Sequence, residues 1–257
     1  MKLALVAFLC ACSSAPDAVP TDAGKDVAKA PKEDASAPDD VVTVVNPSVS
    51  GVVTDTKGAP WPDAKVQVCS DALCTLGNAD GTGAFSVQVP AGKTYHVMAH
   101  PPASDPREGS TGIAELADIL TTDVTLPSPV AIPITGAHAS LPNAAVTQDL
   151  TLTANAPDVS FTGDAYFSGV AVTSSPFASS IATWALNPWA TRTNAGKTIA
   201  VTMSNTFGLS PGDTVSVYAV NETTAELVGP STGTVSSDGK TITGATIDRV
   251  TWIVVTH

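Results

Sequence analysis

Short runs of alternating apolar and polar residues recur along most of this chain. Four of them lie between residues 41 and 102: VSGVVTDTKG, AKVQVCSD, GAFSVQVP and TYHVMAHPP, each ending in glycine, proline or aspartate. Alternation with a period of two is typical of half-buried strands, and the residues that end each run are typical of turns. The pattern therefore predicts an all-β fold in which short turns join the strands.

A second group of strand candidates begins at about residue 128 and continues to the C-terminus. Its members are LTLTA, AYFSGVAV, SIATWAL, KTIAVTMS, DTVSVYAV, TGTVSSDGKTIT and DRVTWIVV. These strands suffice for a sandwich or a jelly roll, so we expect a second all-β domain over residues 128–257. Ser237-Asp238-Gly239-Lys240 predicts a hairpin in it, because Asp-Gly accepts the positive φ angles of a type I′ turn.

Between the two groups, the stretch STGIAELADIL has the spacing of a helix. Ile113, Leu116 and Leu120 recur on one side of such a helix, and Ser110 or Thr111 is suited to cap it. We therefore predict one short helix that covers a sandwich edge or the junction of two tandem β-sandwich modules.

The segment before the first strands, residues 13–45, has a different composition. From Ser13 to Asp40 it repeats Ala, Pro, Asp and Lys and contains no aromatic residue. Such a segment cannot bury enough apolar surface to offset the entropy lost on ordering. We predict a disordered tether, whose end-to-end distance of about 30 Å holds the folded part away from a membrane.

Residues 1–12 have the pattern of a leader peptide. Lys2 precedes an apolar run that is shorter than the roughly 20 residues of a membrane-spanning helix. Leu9-Cys10-Ala11-Cys12 resembles a bacterial lipobox, although Ala, Ser or Thr is commoner at the Cys10 position. The resemblance implies that Cys12 is lipidated and becomes the N-terminal residue. The alternative is an ordinary secretory signal that is cleaved after one of the following alanines.

The residue after Cys12 bears on localisation. Ser13 stands there instead of Asp, which in the sorting of bacteria with two membranes favours the outer membrane. We therefore expect a lipid-anchored protein of the cell envelope, in the outer membrane of a diderm bacterium.

Turn and core residues of the first β region carry a family resemblance. They are Ser50-Gly51-Val52-Val53-Thr54-Asp55, Gly58, Pro60, Ala64, Val66, Asp80, Gly83, Phe85, Val89-Pro90-Ala91-Gly92 and Tyr95. The pattern resembles the carboxypeptidase regulatory-like module, a seven-stranded prealbumin-like sandwich often grouped with carbohydrate-binding-like folds. The resemblance implies such a domain over residues 46–127 and no catalytic residue, because this module is non-catalytic in the enzymes that gave it its name.

Cys69 and Cys74 enclose the four residues SDAL. This loop length suits a hairpin and allows the two Cα atoms to come within bridging distance. In an exported protein we expect a disulfide between them. The alternative is a metal pair, which lacks an adjacent His or Cys partner.

Composition and charge exclude one class of function. Only 14% of the residues are charged, and the formal net charge is −12. Binding to a phosphate backbone requires clustered Lys and Arg that release counterions. The sequence has no such cluster, so we expect no nucleic-acid partner.

Two local patterns could hold a metal ion. His96, Met98 and His100 fall on one face of a strand, and we favour a solvent-facing strand end over a metal pair because no carboxylate accompanies them. Residues 78–83 partly match a calcium loop but lack the later bidentate Glu, so a hairpin turn explains them better. We also find no H-E-x-x-H motif and no phosphate-binding loop, and expect no metal, no cofactor and no enzymatic activity.

The four tryptophans are the remaining ligand candidates, because an indole face packs on a sugar ring as readily as in a core. Trp189 in LNPWATR follows a proline in a loop, with Arg192 nearby, and is the first candidate. Trp61 in APWPDA is a weaker one, for which a core position is the preferred alternative. Trp184 and Trp252 lie on predicted strands and are expected to point inward or lie at the sheet surface.

We therefore expect a non-catalytic cell-envelope lipoprotein that presents β-sandwich modules for scaffolding, adhesion or binding at the cell surface. Its partners would be the membrane that holds the lipid anchor and a glycan or an envelope protein. The alternative is a carbohydrate-binding module protein that docks glycans through exposed aromatic side chains.

Overall fold

A computed structural model describes residues 46–102, 109–119, 123–126, 132–133 and 138–257. The chain from Val44 to His257 forms one compact unit. The predicted leader, the tether and Cys12 lie outside the described residues. No helix in the described ranges has the length and apolar character needed to cross a membrane.

The first part of the fold, residues 46–126, contains eight described strands. They are β1 (Ser48–Val52), β2 (Lys65–Cys69), β3 (Cys74–Asn78), β4 (Ala84–Gln88), β5 (Lys93–His100), β6 (Gly109–Ser110), β7 (Gly112–Ile119) and β8 (Val124–Thr125). One sheet has the order β4-β1-β8, and the other has the order β3-β2-β5-β7. The four strand runs predicted here are therefore strands.

The two sheets of the first part share a hydrophobic cluster, which we call the N-terminal cluster. Alternate residues of each strand enter it, as the period of two requires. It contains Val49, Val53, Trp61, Ala64, Val66, Val68, Ala79, Phe85, Val87, Val89, Tyr95, Val97, Ala99, Leu116, Ile119 and Leu126.

The second part, residues 138–257, is dominated by one large antiparallel sheet. The strands that follow β8 are β9 (Ile132–Pro133), β10 (Ala139–Ser140), β11 (Asn143–Thr147), β12 (Leu150–Thr153), β13 (Tyr166–Ala171), β14 (Ser180–Asn187), β15 (Thr191–Arg192), β16 (Ile199–Ser204), β17 (Thr214–Val220), β18 (Leu227–Val235), β19 (Thr241–Ile247), β20 (Arg249–Val250) and β21 (Trp252–Thr256). Ten of them form a sheet of order β10-β13-β14-β21-β17-β18-β19-β16-β12-β11. The small pairs β6-β9 and β15-β20 complete the described sheets.

The large sheet curls until its two ends meet. The edge strand β11 lies against β13 and β10, which belong to the opposite end of the sheet. The enclosed C-terminal cluster is centred on fully buried residues that include Leu150, Leu152, Phe167, Leu186 and Ile199. The curled sheet has a nearly barrel-like form. All seven strand candidates predicted for the second region are strands.

The predicted helix over residues 110–120 is wrong, because the described residues Gly112–Ile119 form β7. This strand pairs antiparallel with β5, and its backbone satisfies the N–H and C=O groups of that strand. The register shifts between the pairs Tyr95 with Leu116 and Lys93 with Ile119, so two residues of β7 oppose one residue of β5. Because of this irregularity, Leu116 and Ile119 enter the same cluster although they are three residues apart in the sequence. A spacing of three residues is also typical of one face of a helix.

The predicted hairpin between β18 and β19 is present, but its turn is not type I′. Only Gly239 has a positive φ, of 72°, whereas type I′ requires positive φ at both central residues. The Gly239 N–H donates to the Ser236 carbonyl at 2.9 Å. Asp238 accepts hydrogen bonds from the Ser236 hydroxyl and the Lys240 N–H, and these local bonds fix the turn with a negative φ at Asp238.

We predict that Leu152→Ala lowers the free energy of unfolding by about 2–5 kcal/mol, because it leaves a cavity in the C-terminal cluster. Leu76→Ala is the matched control, since that side chain is 70% exposed, and it should change stability by no more than about 0.5 kcal/mol. Urea unfolding followed by circular dichroism measures both. Equal effects of the two substitutions would contradict the burial described above.

Candidate functional site

A third hydrophobic cluster joins the two parts of the fold, and we call it the seam. Its buried members come from both parts: Cys69, Met98, Phe177, Ala185, Val220, Ala225, Trp252 and Val254. Six of them lie on the faces of β2, β5, β14, β17 and β21 that point away from the N-terminal and C-terminal clusters, and Phe177 and Ala225 come from the connections β13–β14 and β17–β18. The outward faces of two sheets therefore pack on each other.

Among the described residues, three hydrogen bonds cross the seam. The Trp252 indole Nε1–H donates to the Thr111 carbonyl at 2.7 Å. The Ser110 hydroxyl donates to the Leu186 carbonyl at 3.0 Å, and the Asn187 side-chain amide donates to the Gly109 carbonyl at 2.9 Å. All three use β6 and Thr111, the residue between β6 and β7. The residues predicted as a helix cap, Ser110 and Thr111, therefore bind the second part of the chain.

The predicted disulfide between Cys69 and Cys74 is confirmed, with the two Cα atoms 4.0 Å apart. It lies at one end of the seam. The Thr223 carbonyl oxygen lies 2.7 Å from the Cys69 sulfur and 3.2 Å from the Cys74 sulfur. Thr223 belongs to the turn between β17 and β18, so the disulfide-closed hairpin β2-β3 packs on a turn of the large sheet.

The face that carries His96, Met98 and His100 is more covered than the predicted solvent-facing strand end, with both histidines half-buried. Met98 is fully buried in the seam, and the His96 ring stacks on Phe177 with 6.3 Å between ring centroids. The histidines pack against the second part of the chain, and the described residues contain no group of three or more potential metal ligands. The expectation of a strand-end face was wrong because the sequence does not reveal that a second sheet covers it.

His100 makes polar contacts with both of its ring nitrogens. Nδ1 lies 2.8 Å from the Thr111 hydroxyl, and Nε2 lies 3.2 Å from Gln67 Oε1. The ring also meets the Trp189 indole edge-on at 5.8 Å. Burial, with a smaller contribution from the positive charge of Lys65, lowers the pKa of His100 from 6.5 to about 4.

Trp189 is half-buried at the margin of the seam. The loop that holds it starts with a cis bond between Asn187 and Pro188 and continues through Ala190, whose φ is 62°. The Ala190 N–H donates to the Val250 carbonyl at 2.9 Å, which ties the loop to β20. The loop therefore fixes the indole between His100 and the surface.

Arg192 belongs to an ion-pair network beside this loop. Its guanidinium binds Glu222 Oε1, and Arg249 Nη1 binds Glu222 Oε2 at 3.0 Å. Arg249 also makes two hydrogen bonds to the Asp248 carboxylate, at 2.8 and 3.0 Å. Burial opposes ionisation of Glu222, but its own backbone N–H and the two arginines hold the pKa of Glu222 below its ordinary value.

The seam ends between Met98 and Leu76. Gln67 lies between these two residues in the sheet register, and all three side chains are on the same sheet face. Met98 is fully covered, whereas Leu76 is 70% exposed. We call Leu76, Gln67 and Trp189 the open end of the seam. At this open end the aliphatic side chain of Leu76, the amide of Gln67 and the indole of Trp189 lie at the margin of one surface.

Trp61 does not belong to this surface. Its side chain is fully buried in the N-terminal cluster, so its ring faces are not available to a ligand. A Cβ atom at Gly109 would approach the Trp61 ring to 2.4 Å, and the glycine is therefore required there. Trp61 as a ligand-binding residue is corrected to a core residue.

The calcium-loop candidate is a turn between β3 and β4. The Asp80 carboxylate accepts hydrogen bonds from the backbone N–H groups of Thr82 and Ala84 and from the Thr82 hydroxyl. The Thr82 hydroxyl and these N–H groups lower the pKa of Asp80. Gly83 has a φ of 79° and closes the turn.

The expectation that the chain contains no G-x-S-x-G hydrolase pattern is wrong, because residues 208–212 match it. They lie in the connection between β16 and β17, not at the strand-to-helix turn that exposes a hydrolase serine. The Ser210 backbone N–H donates to Asp213 Oδ2 at 2.8 Å. The structure gives this segment the role of a turn.

Sequence reasoning did not identify Gln67, Leu76, Glu222 or Arg249 as neighbours of the candidate site. Gln67 and Leu76 could have been found from the hairpin register once Cys69 is paired with Cys74. Glu222 and Arg249 carry no local signal, because they are distant in sequence and meet only through the sheet order.

Comparisons with known proteins do not identify a family for this chain. No family model and no curated protein sequence matches it. Its similarity to solved structures is low in score. A Bacteroides uniformis protein named for a suspected carbohydrate-binding role has 12% identity and a TM-score of 0.26, with 82% of this chain and 79% of that chain covered.

The Bacillus anthracis TIE protein has 9% identity and a TM-score of 0.28, with 77% of this chain and 44% of that chain covered. A DUF3823 family protein from Bacteroides ovatus has 12% identity and a TM-score of 0.24, with 79% and 81% covered. At these scores the likenesses carry no argument about family or function.

We predict that Glu222→Gln lowers the free energy of unfolding at pH 7 by about 1–2 kcal/mol, because it removes a charge bound by two arginines. The pKa of Glu222 lies below its ordinary value of 4.5. Its contribution is therefore present above that pH and is lost as the pH falls through the folded value.

Glu226→Gln is the matched control in the same turn, where the carboxylate accepts only a hydrogen bond from Thr224 among the described contacts. Chemical denaturation at pH 7 and at about pH 3 measures both variants. A deficit of Glu222→Gln that persists unchanged at the lower pH would contradict the charge network.

Proposed function

We propose that this chain is a non-catalytic, lipid-anchored protein of the cell envelope that presents its β-strand body for scaffolding, adhesion or binding at the surface. In this proposal Cys12 carries the lipid, and residues 13–45 act as the tether. Residues 46–127 and 128–257 act as tandem β-sandwich modules, the first of carboxypeptidase regulatory-like type. The anchor lies in the outer membrane of a diderm bacterium.

The disulfide between Cys69 and Cys74 is the observation that carries this proposal. Disulfides form and persist in oxidising compartments, which for a bacterial protein lie outside the cytoplasm. A leader that ends in a lipobox-like sequence supplies the matching route of export.

The strand count supports the type of the first module. Seven strands, β1 to β5 with β7 and β8, form two sheets around the N-terminal cluster. This is the number expected of the carboxypeptidase regulatory-like sandwich. The seam supports a rigid body, because it makes the outward face of this sandwich continuous with the large sheet.

We predict that Cys12→Ala releases the protein from the membrane fraction, because the residue that would be acylated is removed. The wild-type chain should have an intact mass that corresponds to a Cys12 N-terminus with attached acyl chains. Mass spectrometry of membrane-extracted protein and cell fractionation measure these outcomes.

Cys10→Ala is the matched control, because it replaces a second leader cysteine by a residue that is common in lipoboxes. It should leave the lipidated mass unchanged. A Cys12 N-terminus without acyl mass in the wild type would refute the lipid anchor.

A second candidate function is glycan binding at the open end of the seam. The observation that favours it is the fixed position of Trp189, which is half-buried against His100 beside the exposed cation of Arg192. An indole held in one orientation can pack on the apolar face of a sugar ring, and nearby amide and guanidinium groups can bind its hydroxyls.

We predict that a glycan array detects saturable binding by the wild-type chain and that Trp189→Ala weakens it about tenfold or more, the effect of about 1.4 kcal/mol. Ile181→Ala is the control, since Ile181 is 37% exposed near the other end of β14. Binding that both variants retain would exclude Trp189, and an array without any signal would leave glycan binding without support.

A further inference from the structure

His100 is a half-buried ionisable group at a contact between two parts of the chain. Its strand, β5, belongs to the N-terminal sheets, whereas the Trp189 ring that it meets belongs to the loop after β14. Thr111, which bonds its Nδ1, also supplies the carbonyl that accepts from the Trp252 indole. The imidazole therefore lies one residue away from the central hydrogen bond of the seam.

The partners of His100 fit the neutral ring. Gln67 Oε1 is an acceptor, so Nε2 carries the proton in this arrangement, and Nδ1 accepts the proton of the Thr111 hydroxyl. Protonation adds a second N–H to the ring, at Nδ1. In the neutral ring this nitrogen accepts the proton of the Thr111 hydroxyl. The Thr111 hydroxyl must then rotate away to act as an acceptor.

No described charge compensates for a proton on this ring. Gln67 and Thr111 are uncharged, and Trp189 presents its ring edge-on. The charged group that acts on His100 from the neighbouring strand β2 is Lys65, which is also positive. A partly buried cation without a carboxylate partner destabilises the state that removes it from water.

We propose that His100 makes the seam acid-sensitive: protonation of its imidazole favours a state in which the two parts of the fold separate at the seam while each keeps its own hydrophobic cluster. The division of the buried residues supports this. The N-terminal and C-terminal clusters draw on separate parts of the chain, and the seam is the cluster that both parts share.

The size of the effect follows from the two protonation equilibria. The pKa of His100 is about 4 in the closed seam and returns to 6.5 when the ring is exposed. The lowered value means that the contribution of the neutral ring to the closed state is present above pH 6.5 and is lost as the pH falls toward 4. Between pH 6.5 and about pH 4.5, the opening equilibrium should shift by about 40-fold.

Three carboxylates with lowered pKa values do not obscure this window. Glu222, Asp238 and Asp248 all have pKa values that are lowered from ordinary values of 4.5 or below. They titrate mainly below the range in which His100 changes state in the opened seam.

Hydrogen exchange of the Trp252 indole N–H tests the proposal, because this proton lies in a bond across the seam. The experiment uses the full chain and nuclear magnetic resonance, with the indole signal identified by its loss in Trp252→Phe. The protection factor of this proton should fall about 40-fold between pH 6.5 and about pH 4.5. Backbone N–H groups of Val97 and Val217, in the other two clusters, should keep their protection.

Two substitutions assign the effect to one imidazole. His100→Gln keeps one donor and one acceptor in the side chain and removes the titration, so the fall in protection should disappear. His96→Gln, at the other seam histidine, should preserve the fall. The proposal is overturned if the wild type shows no pH dependence, if His100→Gln shows the same fall, or if His96→Gln abolishes it.

A direct titration keeps the test decisive even if His100→Gln does not fold. The imidazole resonance of His100 in the wild-type chain should titrate with a midpoint near 4. A midpoint near 6.5, the value of an exposed histidine, would overturn the proposal.

Discussion

The hydrogen bond from the Trp252 indole to the Thr111 carbonyl is the constraint on which the described arrangement of sheets depends. Both residues are almost completely buried, so neither group could find water in the closed structure. Separating the sheets without solvent entry would leave a donor and an acceptor unpaired, at a cost of about 1–3 kcal/mol for each group. The bond therefore fixes the orientation of one sheet on the other more sharply than apolar contact alone can.

This arrangement explains the composition of β21. The residues Trp252, Ile253, Val254 and Val255 are all buried, and they alternate between the seam and the C-terminal cluster. A strand that is covered on both faces loses the apolar and polar alternation of a half-buried strand. The same double coverage applies to the middle of β5, where Met98 points to the seam and Val97 and Ala99 point to the N-terminal cluster.

The sequence predicted the strands well because local alternation and turn residues determine them. Two expectations failed where the answer depended on contacts between distant segments. The helix-like spacing of Leu116 and Ile119 arises from a shift in strand register, and a shift is defined only by the partner strand β5. The exposure of His96 and His100 depended on a second sheet, whose docking leaves no periodic signal in either strand.

The sequence predicted part of the candidate site, as it predicted part of the fold. The proline-containing loop marked Trp189 as a special position, and Arg192 follows in the same segment. Glu222 and Gln67, which contact Arg192 and His100, come from two other regions of the chain. Only the order of strands in the sheets brings these regions together, and strand order was not predicted from the sequence.

The hairpin that carries the disulfide has one further consequence, for the behaviour of many copies in solution. Among the described strands, β3 forms the edge of its sheet, and its residues CTLGN carry no charge while Leu76 is exposed. Natural edge strands usually avoid pairing with other molecules through charged or bulged residues. Here the net charge of −12 supplies long-range repulsion between copies instead. Salt screens this repulsion within about 8 Å at physiological ionic strength. Resistance to edge-to-edge association through β3 therefore depends on the ionic strength more than on the residues of the strand.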